Sequence, residues 1–198
     1  MITKTQLEIM KLIVSKTNKK FSINEIARLL KKPYALIYRS MGQLIKEKFI
    51  FIDEKKLLSL NYKNNFSELS FIENIRLKER LEKEKSISLF LKDCLKGLNE
   101  DFFVFMIFGS FVEKSKFNDL DVCIILNNQK DIEKIERVIQ NIASNFSFKI
   151  DLQVINKESV YEMFSKRDNV NILNESLNNH LIVFGGENYY RMLSNARR

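Results

Sequence analysis

The chain is poor in the residues that several common chemistries require. Its one histidine, His180, and its two cysteines, Cys94 and Cys123, are scattered through 198 residues. That leaves no zinc-ligand spacing, no Cys–His or Ser–His pair for nucleophilic catalysis and no disulfide framework. Both cysteines sit inside apolar patterns and read as small buried side chains. His180 reads as a surface or sheet-edge residue. No run of eighteen apolar residues occurs, and there is no leader of charged, apolar and small residues. The first helical segment instead carries Glu8, Lys11 and Lys16 on its polar positions, so the expectation is a soluble, cytoplasmic protein with no membrane partner.

Acidic charge is scarce in the first third. Residues 1–63 hold 14 Lys or Arg against 5 Asp or Glu, and the remainder is nearly balanced, so the whole formal excess of +8 lies at the N-terminal end. Such asymmetry points to an anionic partner of that segment, nucleic acid before membrane. With 45% hydrophobic residues the chain can bury one good core or two small ones, and the charge division favours two.

The most informative stretch begins with the apolar run Phe102 to Phe108. It is too short for a globular helix and rich in aromatic and branched residues, which predicts a strand buried on both faces. It stops at Gly109-Ser110, where glycine permits a tight turn and close approach to a ligand, and serine can cap a following helix. A second apolar strand opens with Asp119-Leu120-Asp121. Residues i and i+2 of a strand share a face, so the two carboxylates point the same way and repel each other unless a cation lies between them. Oxygen-only ligation suits Mg²⁺ or Mn²⁺. A third strand, 146–155, sets Asp151 opposite in facing to Ile150, Leu152 and Val154. The helical stripe Ile132, Ile135, Val138, Ile139 and Ile142 supplies the crossover that makes the two acidic strands neighbours.

In that order, Gly109-Ser110, Asp119-x-Asp121 and the isolated Asp151 resemble the pattern of the DNA polymerase beta-like nucleotidyltransferases, most closely the minimal single-domain members. Leu173 to Gly185, a helix followed by a short strand closing in aromatic-Gly, is similar to the ending of those members. The resemblance implies that Gly109 and Ser110 hold a nucleoside triphosphate, that Asp119 and Asp121 bind two divalent metals, and that Asp151 binds one of them and helps deprotonate an acceptor hydroxyl. It further implies ATP as the default nucleotide and a tyrosine of a HEPN-type toxin as one acceptor, with the chain as antitoxin. The sequence departs from the pattern after Ser110: only eight residues precede the acid pair, with Glu113 where a basic residue is common and Lys114 where a glycine is common. Lys114 and Lys116 are the candidates for the missing positive charge.

At the N-terminus, apolar residues at helical spacing predict a helix over 3–14. Ser22 to Glu25 reads as a capping box opening a second helix, and Pro33 stands at the start of a third, 34–48. Two short apolar arms around Asp53 to Lys56 predict a β-hairpin. Three helices and a hairpin resemble the winged helix family. That resemblance implies Tyr34, Tyr38, Arg39 and Gln43 as contacts in the major groove of duplex DNA, Lys31 and Lys32 near its backbone, and Lys55 and Lys56 on the wing. Asn61 to Ser67 reads as a boundary, and the charged stretch 76–85 as a solvated connecting helix.

The expected architecture is α+β: a winged helix-turn-helix domain at 1–63, a connecting helix at 64–86, and a nucleotidyltransferase domain at 87–198 with a small mixed sheet flanked by helices. The expected activity is nucleoside monophosphate transfer to a hydroxyl. Two rival readings stand beside it: a DNA-binding regulator whose second domain senses nucleotide without turnover, and an interaction module in which the winged helix forms a homodimer.

Overall fold

The computed structural model describes residues 2–114, 117–165 and 171–197. The N-terminal segment folds as α1 (Lys4–Ser15), α2 (Ile23–Leu30), α3 (Tyr34–Lys46) and a hairpin of β1 (Ile50–Ile52) with β2 (Leu58–Leu60), paired antiparallel from Ile50↔Leu60 to Ile52↔Leu58. The full capping box lies on α1, where Thr3 and Gln6 exchange side-chain and backbone hydrogen bonds. At α2, Ser22 Oγ accepts the Glu25 N–H at 3.1 Å as expected, whereas the Glu25 carboxylate goes to Lys19.

The rest of the chain runs α4 (Phe66–Leu81), α5 (Lys85–Gly97), β3 (Phe103–Phe108), α6 (Ser110–Glu113), β4 (Asp119–Leu126), a 3-10 turn (Gln129–Asp131), α7 (Ile132–Ala143), β5 (Lys149–Asn156), α8 (Lys157–Ser165), α9 (Ile172–Ser176), β6 (His180–Phe184) and α10 (Gly186–Ala196). The four long strands form one mixed sheet in the order β5-β4-β3-β6. The pair β4–β5 is parallel, joined by the α7 crossover, and β3 is antiparallel to both of its neighbours. The fold is thus the α+β arrangement expected, a small mixed sheet flanked by helices. Gly185, at φ 78°, turns the chain from β6 into α10 against the Phe103 carbonyl, where a Cβ would lie 2.4 Å from that oxygen. That close approach is the physical content of the aromatic-Gly ending.

Two apolar clusters form, but the sheet divides them rather than the charge boundary near residue 63. One holds Phe105, Ile107, Val122, Ile124 and Leu181 under α5 and α7. The other joins the opposite sheet face, with Val104, Met106, Cys123 and Ile125, to α4, α8 and α10, and continues without a break into Ile9, Ile13, Ile37 and Leu44 of the N-terminal helices. The N-terminal segment and the sheet therefore share a core.

Three expectations are corrected by this arrangement. Of the stretch 76–85, read as a solvated connecting helix, Arg76 is buried, on the same face of α4 as Leu69, Ile72 and Glu73, which packs against α1, β6 and α10. His180 is fully buried, since it lies on the same sheet face as Ile182 and Met106, and Asn61 in the expected boundary is buried as well, its amide donating to the Lys48 carbonyl at 2.8 Å.

Candidate active site

β4 carries the acids because its first residues emerge from beneath the helices while the rest of the strand stays covered. Leu120 and Val122 bury completely in the α5/α7 cluster, so Asp119 and Asp121 face the opposite layer, in line with Cys123 and Ile125. Parallel register sets Asp121 directly beside Asp151 of the neighbouring strand, and Asp119 beside Lys149. Registered neighbours in a parallel pair share a face. All three carboxylates therefore lie on one side of the sheet, at the end where β4 and β5 begin.

The Gly109-Ser110 turn reaches the same place from β3. Phe108 pairs with Asp121 across the antiparallel ladder, and Gly109 follows with φ 70° and ψ −148°, a conformation left to glycine. A Cβ on Gly109 would stand 2.1 Å from Asp121 Oδ2, so the missing side chain is the space the carboxylate occupies. The Ser110 N–H hydrogen-bonds Asp121. Ser110 is thus the first residue of α6 rather than its side-chain cap, with Gly109 as the N-cap. Phe108, Gly109 and Asp121, with Ser176 and Asn179 from the α9–β6 segment, line a cleft of about 470 Å³.

Electrostatics single out Asp121. Burial pushes its carboxyl above the ordinary range, the negative charges of Asp119 and Asp151 add to the rise, and the Ser110 N–H only partly offsets them. A site that raises the pKa of an acid among acids suits a cation. The donor set is carboxylate oxygen, the kind that Mg²⁺ or Mn²⁺ prefers. Among the described residues no three His, Cys, Asp or Glu side chains are gathered closely enough to hold a metal by themselves.

Behind the cleft lies a buried polar network that no local pattern announced. Glu73 of α4 accepts the Tyr190 hydroxyl at 2.8 Å and His180 Nε2–H at 2.9 Å, and pairs with Arg76 at 2.6 Å. His180 Nδ1–H donates to the Ser176 carbonyl, and Arg76 to the His180 carbonyl, each at 2.8 Å. Burial alone pushes the Glu73 carboxyl up, but the charges of Arg76 and His180 and the hydrogen bonds from His180 and Tyr190 outweigh it, and the net direction is down. The network fixes Ser176, hence the wall of the cleft.

Of the candidate phosphate-binding residues, Lys114 is exposed just past α6, and Lys116 lies outside the described residues. The segment from Ser110 to Lys114 is clamped by Arg80. Its guanidinium stacks 4.0 Å over Phe111 and donates to the carbonyls of Phe111 and Lys114, each at 2.9 Å. Arg80 was hidden in the charge-rich stretch, where nothing in the spacing distinguishes it from a solvated residue.

In the N-terminal segment, Tyr34 and Tyr38 stack at 6.0 Å and are exposed, as are Lys31, Arg39, Lys55 and Lys56. Two candidates are engaged within the protein instead. Lys32 pairs with Glu8 at 3.1 Å, and Gln43 is bonded to Gln6 and Glu47 at 3.0 and 2.8 Å.

A mixed four-stranded sheet with acids at its strand ends beside a Gly-Ser turn is the arrangement expected of a nucleotidyltransferase-type domain. Comparison with known proteins agrees: residues 90–176 match the family model described as polymerase beta, nucleotidyltransferase, a span that contains Gly109, Ser110, Asp119, Asp121 and Asp151. The match supports a member of the DNA polymerase beta-like nucleotidyltransferase superfamily, and nucleotidyl transfer as its general activity. Nucleotidyltransferases of this superfamily typically use divalent metals. No curated protein and no solved structure matches the chain. Among the described residues no helix is long and apolar enough to cross a membrane.

Proposed function

We propose that the chain is a cytoplasmic, Mg²⁺- or Mn²⁺-dependent nucleotidyltransferase of the minimal type, which moves AMP from ATP to an acceptor hydroxyl. The observation that carries this reading is the register that sets Asp121 beside Asp151 and against Gly109. Asp119, Asp121 and Asp151 would hold the metal, which supplies charge neutralisation at the phosphates when bound. Gly109 and Ser110 would fix the triphosphate against the strand ends, and alignment of the acceptor oxygen with the α-phosphorus supplies most of the remaining rate. In the transfer, the acceptor oxygen bonds to the α-phosphorus, the bond from that phosphorus to the bridging oxygen breaks, and pyrophosphate leaves. The hydroxyl proton passes to Asp151. A tyrosine of a HEPN-type toxin is the proposed acceptor, which makes the chain an antitoxin.

The winged helix is proposed to bind duplex DNA. The exposed face of Tyr34, Tyr38 and Arg39 on α3, with Lys55 and Lys56 on the hairpin, supports it. A nucleotide sensor without turnover is the second reading, favoured by the shortened, rearranged segment after Ser110, with Glu113 three residues on. Incubation with Mg²⁺, a HEPN-type partner and ATP labelled at the α-phosphate separates the two. Label on the partner that disappears with Asp121→Asn supports transfer. Nucleotide binding with no label on any acceptor favours the sensor.

A further inference from the structure

The cleft beside Asp121 must meet a polyanion, yet the third residue after Ser110 is Glu113, and the exposed Lys114 that follows lies past the end of α6 and does not line the cleft. The cations packed closest behind it are committed elsewhere. Arg80 spends its guanidinium on two carbonyls and Glu84, and Arg76 is buried against Glu73 and the His180 carbonyl. The winged helix supplies another. At the end of α1, Lys16 Nζ donates to Glu113 Oε1 and to Asn179 Oδ1, each at 2.5 Å, and Asn179 lines the cleft with Asp121.

The backbone that carries Lys16 is fixed to the wall of the cleft. Thr17 N–H donates to the Leu177 carbonyl at 2.9 Å, Asn18 N–H to Asn178 Oδ1 at 3.1 Å, and the buried Thr17 hydroxyl to the Val14 carbonyl at 3.0 Å. Lys16 is therefore held at the rim by the segment that also presents Ser176 and Asn179. Its pair with Glu113 is partly exposed, 30% and 45% for the two side chains, and such pairs contribute little. A phosphate, more densely charged than one carboxylate, can take the ammonium from Glu113.

We propose that Lys16, from the N-terminal module, is the phosphate-binding cation of the nucleotide site, held ready by Glu113 and Asn179 until a nucleoside polyphosphate enters. This rests on the nucleotidyltransferase reading above. The winged helix is then part of the nucleotide site, and its phosphate-binding cation comes from almost a hundred positions before Glu113.

The test is binding of AMP, ADP and ATP with Mg²⁺ to the full chain by calorimetry, in wild type, Lys16→Met, Lys16→Arg, Glu113→Gln and Lys11→Met. Lys11 lies on the same helix, pairs with Glu79 and controls for overall charge. Expected for Lys16→Met is a loss of about tenfold or more for ATP, smaller for ADP and least for AMP, since a charge-assisted hydrogen bond to phosphate is removed. Lys16→Arg should keep most of the affinity, Glu113→Gln should bind ATP at least as tightly as wild type, and Lys11→Met should be unchanged. Equal affinities for wild type and Lys16→Met would overturn the assignment, and so would a loss of the same size for all three nucleotides, which marks a structural residue. If Lys16→Met does not fold, Glu113→Gln decides: weaker ATP binding in that variant defeats the proposal. A wild-type chain that binds none of the three removes the nucleotidyltransferase reading itself, and the role of Lys16 with it.

Discussion

Gly109→Ala should disable the site more than it damages the fold, and the two effects can be separated. The backbone at φ 70° and ψ −148° is a region that residues with a Cβ occupy only at a cost of about 1–3 kcal/mol. For a chain of this length that corresponds to a fall in Tm of about 2–12 °C. The added methyl would also stand 2.1 Å from Asp121 Oδ2 and 2.9 Å from its Cγ. To restore even a 3.0 Å contact the carboxylate oxygen must retreat by about 0.9 Å, which pulls it from the Ser110 N–H and from register with Asp151. In the Asp121→Ala background the steric part disappears, because Oδ2 and Cγ are gone, and only the backbone strain remains. Urea unfolding of the four proteins in this cycle, with calorimetry of ATP and Mg²⁺ on the single variant, measures both. Gly109→Ala should lose nucleotide binding and should cost more stability in the wild-type background than in Asp121→Ala. Equal costs in the two backgrounds, or native nucleotide binding by Gly109→Ala, would refute the reasoning.

The pH dependence of Asp121 has a definite sign. Burial and the charges of Asp119 and Asp151 raise its carboxyl above the ordinary 3.8. The folded chain therefore holds that proton more tightly than the unfolded one, and the group subtracts stability as pH rises through its raised value. Asp121→Asn should accordingly raise Tm at pH 7 and leave it unchanged well below 3.8, a comparison that thermal melts at both pH values make directly. Glu73→Ala should destabilise by about 3–5 kcal/mol, because it leaves Arg76, His180 and Tyr190 buried without their shared acceptor. A urea midpoint close to wild type would show the network to be dispensable. Duplex DNA binding by the full chain should weaken steeply with salt and weaken further in Arg39→Ala, read by gel shift. No shift even at low salt would leave α3 as a protein-docking face. The full chain is the right object for that assay, because α1 packs against α4 and the apolar side chains of the two segments belong to one core.

What the sequence made legible was whatever short-range periodicity carries. Strand alternation set Asp119 and Asp121 on one face and Leu120 and Val122 on the other, and the apolar stripe of α7 implied the parallel crossover that brings β5 beside β4. Helical spacing and the turn at Pro33 gave α1 to α3 nearly to their ends. What stayed hidden depends on contacts between distant positions. Glu73 meets His180 across 107 residues and Lys16 meets Asn179 across 163, and a glutamate or lysine in a polar stretch looks the same whether it is solvated or bonded. His180 misled for the same reason: nothing beside it in sequence reveals that two acceptors from other elements satisfy its ring. The charge asymmetry, too, suggested two separate cores, while the apolar side chains of α1 and α4 pack as one.

The most direct test of the central claim is calorimetric titration of ATP into the full chain with and without Mg²⁺, alongside the Asp119→Asn and Asp121→Asn variants. If the carboxylates at the start of β4 form a metal-assisted nucleotide site, ATP should bind wild type substantially more tightly with Mg²⁺ than without it, and each variant should lose that metal-dependent gain while keeping its fold. ATP affinity that is indifferent to Mg²⁺ in wild type and unchanged in both variants would contradict the account.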